Sequence, residues 1–277
     1  MRTKPFQAIL NITRIADPLA AILGSFPPTV DEKVVFSDYD KRGREGNFIQ
    51  RPYFTGSNNY EAGFFKILGV QRNPPISAQE WCLFNLAVFT CPAAKAAKYR
   101  ARQQVNTWRY RYFADFPNMR LTENPPLGPS GAYHTAEIPV VFKTTVDSSG
   151  APDTPQEAAI SNYLNRAWAA FAKDPENAFY DEPYNFPQYD PRRMCAPLKV
   201  NLLIADMYLI GKTLIEFAVG NRTTPIYASP SSTDLACSVI EEASKGIPGG
   251  IGGLLASGGS LPPNLIVPGT PLLCSPV

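Results

Sequence analysis

The chain has 277 residues, with 26 Lys and Arg against 24 Asp and Glu, 44% hydrophobic residues and 12% aromatics. That composition buries a core and excludes an intrinsically disordered, collagenous or coiled-coil chain. A net charge of +2 offers no electrostatic footprint for nucleic acid, and 28 prolines leave room for few long helices and many defined turns. The absence of a charged or Gly/Ser linker in the first 190 residues predicts one large domain.

The opening stretch, MRTKPFQAILNITRIADPLAAIL, has no 7–15-residue apolar run ending at a small-residue cleavage site, so it is not read as a secretory signal. Five cysteines (Cys82, Cys91, Cys195, Cys237 and Cys274) and two glycosylation sequons, at Asn11 and Asn221, nevertheless suit an exported protein. A portion preceding Met1 would reconcile the two observations. No cysteine stands in a CxxC pair and there is one histidine, so the pattern implies no metal and no cofactor.

In chain order, Lys33–Phe36 and Arg51–Thr55 are strand candidates. Ser77-Ala-Gln-Glu80 is a capping box that starts a helix carrying Trp81, Leu83, Phe84 and Leu86. An alanine-rich helix from Pro92 is expected to turn Lys95, Lys98 and Arg102 outward. Thr107–Phe113 alternates aromatic and basic residues, which places Trp108, Tyr110 and Tyr112 on one strand face and Arg109 and Arg111 on the other. A half-buried or near-edge strand with a solvated arginine face is the expectation. Pro139–Phe142 and Lys212–Val219 are further strand candidates. Between them, Thr154-Pro-Gln-Glu157 opens a helix that runs to about Phe171 and buries Ile160, Tyr163, Leu164, Ala167, Trp168 and Phe171. Strands interleaved with helices predict an α/β class with a mostly parallel sheet.

Two segments fit this domain poorly. Gly246 to Val277 contains no charged side chain and recurrent Gly and Pro, which predicts an irregular tail; prolines interrupt the apolar run that a lipid-anchor signal needs. Residues 192–210 carry Lys199 and Asp206 and are too short for a membrane span.

His134 is the only histidine and lies in GAYHTAEIPVVF (131–142), while Glu61 lies in TGSNNYEAGFF (55–65). A lone histidine is more often a bland core or surface residue, and a loop carboxylate more often a cap or ion-pair partner. On neighbouring strand-end loops the two would instead form the acid and base of an esterase triad, the carboxylate fixing the imidazole tautomer and stabilising the imidazolium. Glu137 is expected to cap or pair locally, and Ser130, in Gly128-Pro-Ser-Gly131, to sit in a simple turn.

These segments, with RTKPFQAIL (2–10), NLAVFTCPAA (85–94), TWRYRYF (107–113) and AWAAFAKDP (167–175), resemble in content and order the carboxyl-terminal half of fungal type-B carboxylesterases and lipases, relatives of the cholinesterases. The resemblance covers about residues 2–191 and 211–242. It implies the α/β-hydrolase fold, here as an incomplete central sheet flanked by helices, over residues 1–245. It also implies Glu61 as triad acid, His134 as base and a small-molecule carboxylic ester as substrate. The family's nucleophile stands in a Gly-x-Ser-x-Gly elbow upstream of the acid, and these 277 residues contain no such pentapeptide. The expectation is a secreted serine esterase whose serine and oxyanion hole belong to the missing amino-terminal half. By itself this chain would be inactive and would leave an open sheet edge for that half to cover. A cholinesterase-like adhesion protein, or a non-functional product of a truncated gene, is the alternative. In relatives the stretch before 192 runs almost directly into that after 210, so 192–210 reads as a retained intron or a surface insertion. The likeness further pairs Cys91 with Cys237, against two buried free thiols, and offers no bridge for Cys82 and no role for Cys195 and Cys274.

Overall fold

The computed structural model describes residues 3–13, 28–70, 75–191, 212–243 and 245–246. The expected insertion at 192–210, the tail beyond Gly246, Cys195 and Cys274 lie outside the described residues. Helices α1 (Phe6–Thr13) and α2 (Tyr39–Glu45) precede strand β1 (Tyr53–Asn58), helices α3 (Ala62–Gly69) and α4 (Ala78–Asn85), a π-helical turn at Leu86–Thr90, and α5 (Cys91–Arg102). Strand β2 (Thr107–Tyr112) follows, then α6 (Glu137–Phe142), α7 (Thr145–Ser149), α8 (Pro155–Lys173), β3 (Leu214–Phe217), β4 (Ile226–Ala228) and α9 (Ser231–Ala243). The strands form one sheet in the order β1-β2-β3-β4, parallel except for the antiparallel β3–β4 pair.

Both capping boxes form. Ser77 Oγ accepts from the Glu80 amide at 3.2 Å and Thr154 Oγ1 from the Glu157 amide at 3.1 Å, and each glutamate reaches back to the cap amide. These bonds satisfy amides that a helix start otherwise leaves orphaned. Helix α8 then buries Ile160, Leu164 and Ala167 completely, with Tyr163, Trp168 and Phe171 partly buried, against Trp108, Tyr112, Phe179, Phe186 and Phe217. Residues of three- and four-residue spacing share one helix face, and here that face meets the aromatic face of β2.

The arginine face of β2 departs from its expectation. The strand is central, α5 covers its other side, and Arg109 is 1% and Arg111 7% exposed. Arg109 Nη1 lies 2.6 Å from Asp234 Oδ1, whose second oxygen accepts from the Tyr189 hydroxyl at 2.8 Å. Arg111 donates to the Asn59 side-chain carbonyl and stands 3.9 Å from the Glu216 carboxylate. Burial pulls the Arg111 guanidinium down to about 10, the direction expected of a cation moved out of water. Alternating polarity thus marks two differently buried faces here, not one dry and one wet.

Two strand candidates are also corrected. Pro139–Phe142 belongs to helix α6; Pro139 occupies the first turn, where its missing N–H costs no intrahelical bond. Lys33–Phe36 is a bend closed by Asp31, whose carboxylate accepts from the amides of Lys33, Val34 and Val35. Those backbone bonds hold the Asp31 carboxyl at about 2. Strands β1 and β3 fall within or beside their predicted stretches, while β4, three residues long, leaves no periodic signal.

Cys91, at the start of α5, and Cys237, on α9, form a disulfide across 146 positions. Cys82, for which the likeness offers no bridge, is also disulfide-bonded. Asn11 is exposed on α1. Asn221 is half-buried and pairs its side-chain amide with the backbone of Asp115, accepting from its N–H at 3.1 Å and donating to its carbonyl at 3.4 Å. No helix among the described residues is long and apolar enough to cross a membrane.

We predict that Asp234→Ala, which leaves the Arg109 guanidinium buried without its carboxylate, costs about 3–5 kcal/mol in a denaturant titration. Replacing both partners by apolar residues should recover much of that loss. A cost below about 1 kcal/mol for the single variant would show that the pair is solvated.

Candidate active site

Parallel pairing of β1 with β2 sets Asn58 opposite Tyr112, and the next amide, Asn59, donates to the Tyr112 carbonyl at 2.8 Å. The chain then turns into α3, where Glu61 precedes the first helical residue and Asn85 Oδ1 accepts from the Ala62 amide at 3.2 Å. A cap supplied from α4 frees the Glu61 carboxylate for another task.

That carboxylate faces the loop at 131–136. Its Oε1 accepts from the Asn58 amide at 2.7 Å, and its Oε2 lies 2.7 Å from His134 Nδ1. Two backbone bonds run beside this contact, Tyr60 N–H to the Ala132 carbonyl at 3.1 Å and His134 N–H to the Glu61 carbonyl at 3.3 Å. Thr135 takes a left-handed φ of 75°, a sparsely populated conformation for a β-branched residue that turns the chain sharply after the histidine. Gly63 permits the close approach of α3, since a Cβ there would stand 2.0 Å from the Ser130 carbonyl oxygen. Ser130 itself is buried and its hydroxyl accepts from the Leu121 amide at 3.0 Å; it lies beyond the turn at 125–127 and not in the simple turn expected of it.

The Glu61 side chain is 7% exposed and that of His134 38%. A carboxylate on Nδ1 selects the tautomer with its proton there and leaves Nε2 with a lone pair for an incoming proton. Phe64, Phe65 and Phe89 surround the imidazole with ring centroids at 6.4, 5.4 and 4.9 Å; Phe89 comes from the π-helical turn. The Glu61 hydrogen bond raises the His134 pKa, against partial burial, and the charges of Glu61 and Glu137 act in the same direction. Glu137 does more than cap locally: its carboxylate accepts from Asn58 Nδ2 at 2.5 Å, and burial raises its pKa. A cavity of about 440 Å³ beside Tyr133 and Thr135 is lined by neither Glu61 nor His134.

The structure therefore brings Glu61 and His134 together, while Asn221 bonds to the Asp115 backbone and Cys91 to Cys237. Asn58, Gly63 and Asn85 are supporting residues that the motif reading passed over. A polar residue three positions before the acid, in Asn58-Asn59-Tyr60-Glu61, was the available signal.

Residues 78–196 match the sequence model of the carboxylesterase family. The chain is 34% identical over 151 residues to a chlorogenic acid esterase of Aspergillus niger, covering 54% of this chain and 28% of that protein. It is 29% identical over 172 residues to secreted lipase 5 of Gibberella zeae, covering 59% and 31%. These matches make the chain similar to fungal carboxylesterases and lipases over part of its length. It matches less than a third of the length of these two relatives. Among solved structures, a thermophilic PNB esterase matches with a TM-score of 0.53 at 19% identity, over 77% of this chain and 43% of that one. Another PNB esterase structure matches with a TM-score of 0.54 at 18% identity, over 82% and 46%. The chain thus has the α/β-hydrolase fold, represented among the described residues by four strands and their covering helices.

A histidine whose folded pKa is raised stabilises the fold fully below its unfolded value, about 6.5, and loses that contribution as pH rises through the folded value. We predict that an NMR titration of His134, the sole histidine, gives a midpoint above about 6.5 that falls in Glu61→Gln. A midpoint indifferent to Glu61→Gln would contradict the ion-pair geometry.

Proposed function

We propose that this chain supplies the acid and base of a serine ester hydrolase of the carboxylesterase family, with its nucleophile serine and oxyanion donors provided by an amino-terminal half outside these 277 residues. The single observation that carries the reading is the 2.7 Å contact between a buried Glu61 carboxylate and Nδ1 of a partly exposed His134. In this reading Nε2 takes the serine proton as the oxygen attacks the ester carbonyl. The imidazolium, held by Glu61, returns the proton to the departing alkoxide, leaving an acyl-enzyme and a free alcohol. Water, deprotonated by the same nitrogen, then releases the carboxylic acid and regenerates the serine.

The substrate class is a carboxylic ester, supported by the family match and by the esterase and lipase names of the two relatives. Export of the whole protein is supported by the disulfide, by sequons at Asn11 and Asn221, and by the secreted relative. A purely adhesive role would leave the buried acid and its histidine without a use.

Hydrolysis of p-nitrophenyl butyrate tests the proposal. We expect no turnover above background from the 277-residue chain, which lacks both the covalent step and the oxyanion donors. We expect turnover from a chain extended upstream through a Gly-x-Ser-x-Gly elbow, falling by about 10³-fold or more in His134→Ala. Turnover by the 277-residue chain that depends on His134 would overturn the placement of the nucleophile.

A further inference from the structure

Glu61 and His134 stand 73 positions apart, one just before helix α3 and the other in the turn that leads into α6. Their contact needs a part that holds both sides at once. The last residue of β1 touches both. Asn58 is 1% exposed; its backbone N–H donates to Glu61 Oε1 at 2.7 Å, and its side-chain Nδ2 donates to the Tyr133 carbonyl at 2.7 Å and to Glu137 Oε2 at 2.5 Å. Tyr133 precedes the histidine by one residue and Glu137 follows it by three, so the amide grips the base loop on both sides.

We propose that Asn58 is the positioning residue of this site, fixing the Glu61 carboxylate with its backbone and the His134 loop with its side chain, with Glu137 as the second anchor. The inference rests on the reading of Glu61 and His134 as acid and base.

Three features of the contact support a role beyond packing. The orientation of the amide follows from chemistry, because the Tyr133 carbonyl can only accept and so requires the NH₂ end. The opposite end, Asn58 Oδ1, is buried without a hydrogen-bond partner. An orphaned buried carbonyl is destabilising, so an amide at this position is explained by what its donors hold. Finally, the Glu137 carboxylate is drawn into a largely buried position where burial raises its pKa, and the Asn58 donor is the side-chain bond that favours its charged form. The buried carboxylate thus stands within reach of the acid–base pair without belonging to it.

The test uses the 277-residue chain labelled with ¹⁵N at its only histidine, so that every imidazole signal reports on His134. In the wild type we expect the Nδ1–H tautomer and a slowly exchanging Nδ1 proton. Asn58→Ala should expose that proton to fast exchange and lower the proton affinity of the ring by about threefold or more, half a pH unit in the midpoint. Glu137→Gln still offers an acceptor to Nδ2 and should retain the slow Nδ1 proton. If Asn58→Ala fails to fold, Asn58→Leu keeps the approximate volume and the backbone N–H without adding a charge or a side-chain donor, and should show the same loss. An unchanged tautomer, exchange rate and midpoint in the folded Asn58 variant, even with a lower melting temperature, would overturn the proposal by making Asn58 purely structural. A midpoint that ignores Glu61→Gln would instead sink the acid–base reading beneath it, and the two failures are thereby told apart.

Discussion

The parallel register between β1 and β2 ends both strands at one level, and Glu61 and His134 meet there because each is anchored to that level. Asn59 is tied to the Tyr112 carbonyl, Tyr60 to the Ala132 carbonyl and His134 to the Glu61 carbonyl. Backbone bonds of this kind bring the two loops together, and the Asn58 side-chain bonds to Tyr133 and Glu137 hold the base loop where the 2.7 Å carboxylate–imidazole contact forms. A ring placed on a loop but held by a sheet is the arrangement in which a base can be both mobile enough to exchange protons and fixed enough to receive one from a defined direction.

Beneath the site lies a layer of buried charge. Arg111 reaches Asn59, the residue between Asn58 and the turn to Glu61, and pairs with Glu216 on β3. Arg109, two residues earlier on the same face, holds Asp234 of α9 and reaches the Thr90 carbonyl at the end of the π-helical turn. Buried ion pairs of this kind contribute little net stability compared with apolar packing. Their geometry instead joins β2 to the acid loop on one side and to α9 on the other, where the Cys91–Cys237 disulfide ties α9 to α5.

What was legible in the sequence was what is decided locally. The two capping boxes and the apolar stripe of α8 depend on residues within four positions of one another, and they form as read. The aromatic face of β2 was equally plain. Its arginine face was misread because its carboxylate partner Asp234 stands 125 positions away, and alternation alone cannot distinguish water from a covering helix. A four-residue apolar run, Pro139–Phe142, carries too few residues to separate period two from period 3.6, and its helix is fixed by packing against α8. Glu61 and His134 were found through resemblance to a family, while Asn58 was passed over because its side-chain partners lie 75 and 79 positions further along.

The central claim is that His134 Nε2 faces a serine delivered by the other half of the fold. A crystal structure of the catalytically complete protein after reaction with a phosphonate ester measures this directly. The account predicts a phosphonylated elbow serine with its oxygen within about 3.2 Å of His134 Nε2, and Glu61 still on Nδ1. A modified serine more than about 5 Å from that nitrogen, or one served by a different base, would contradict it.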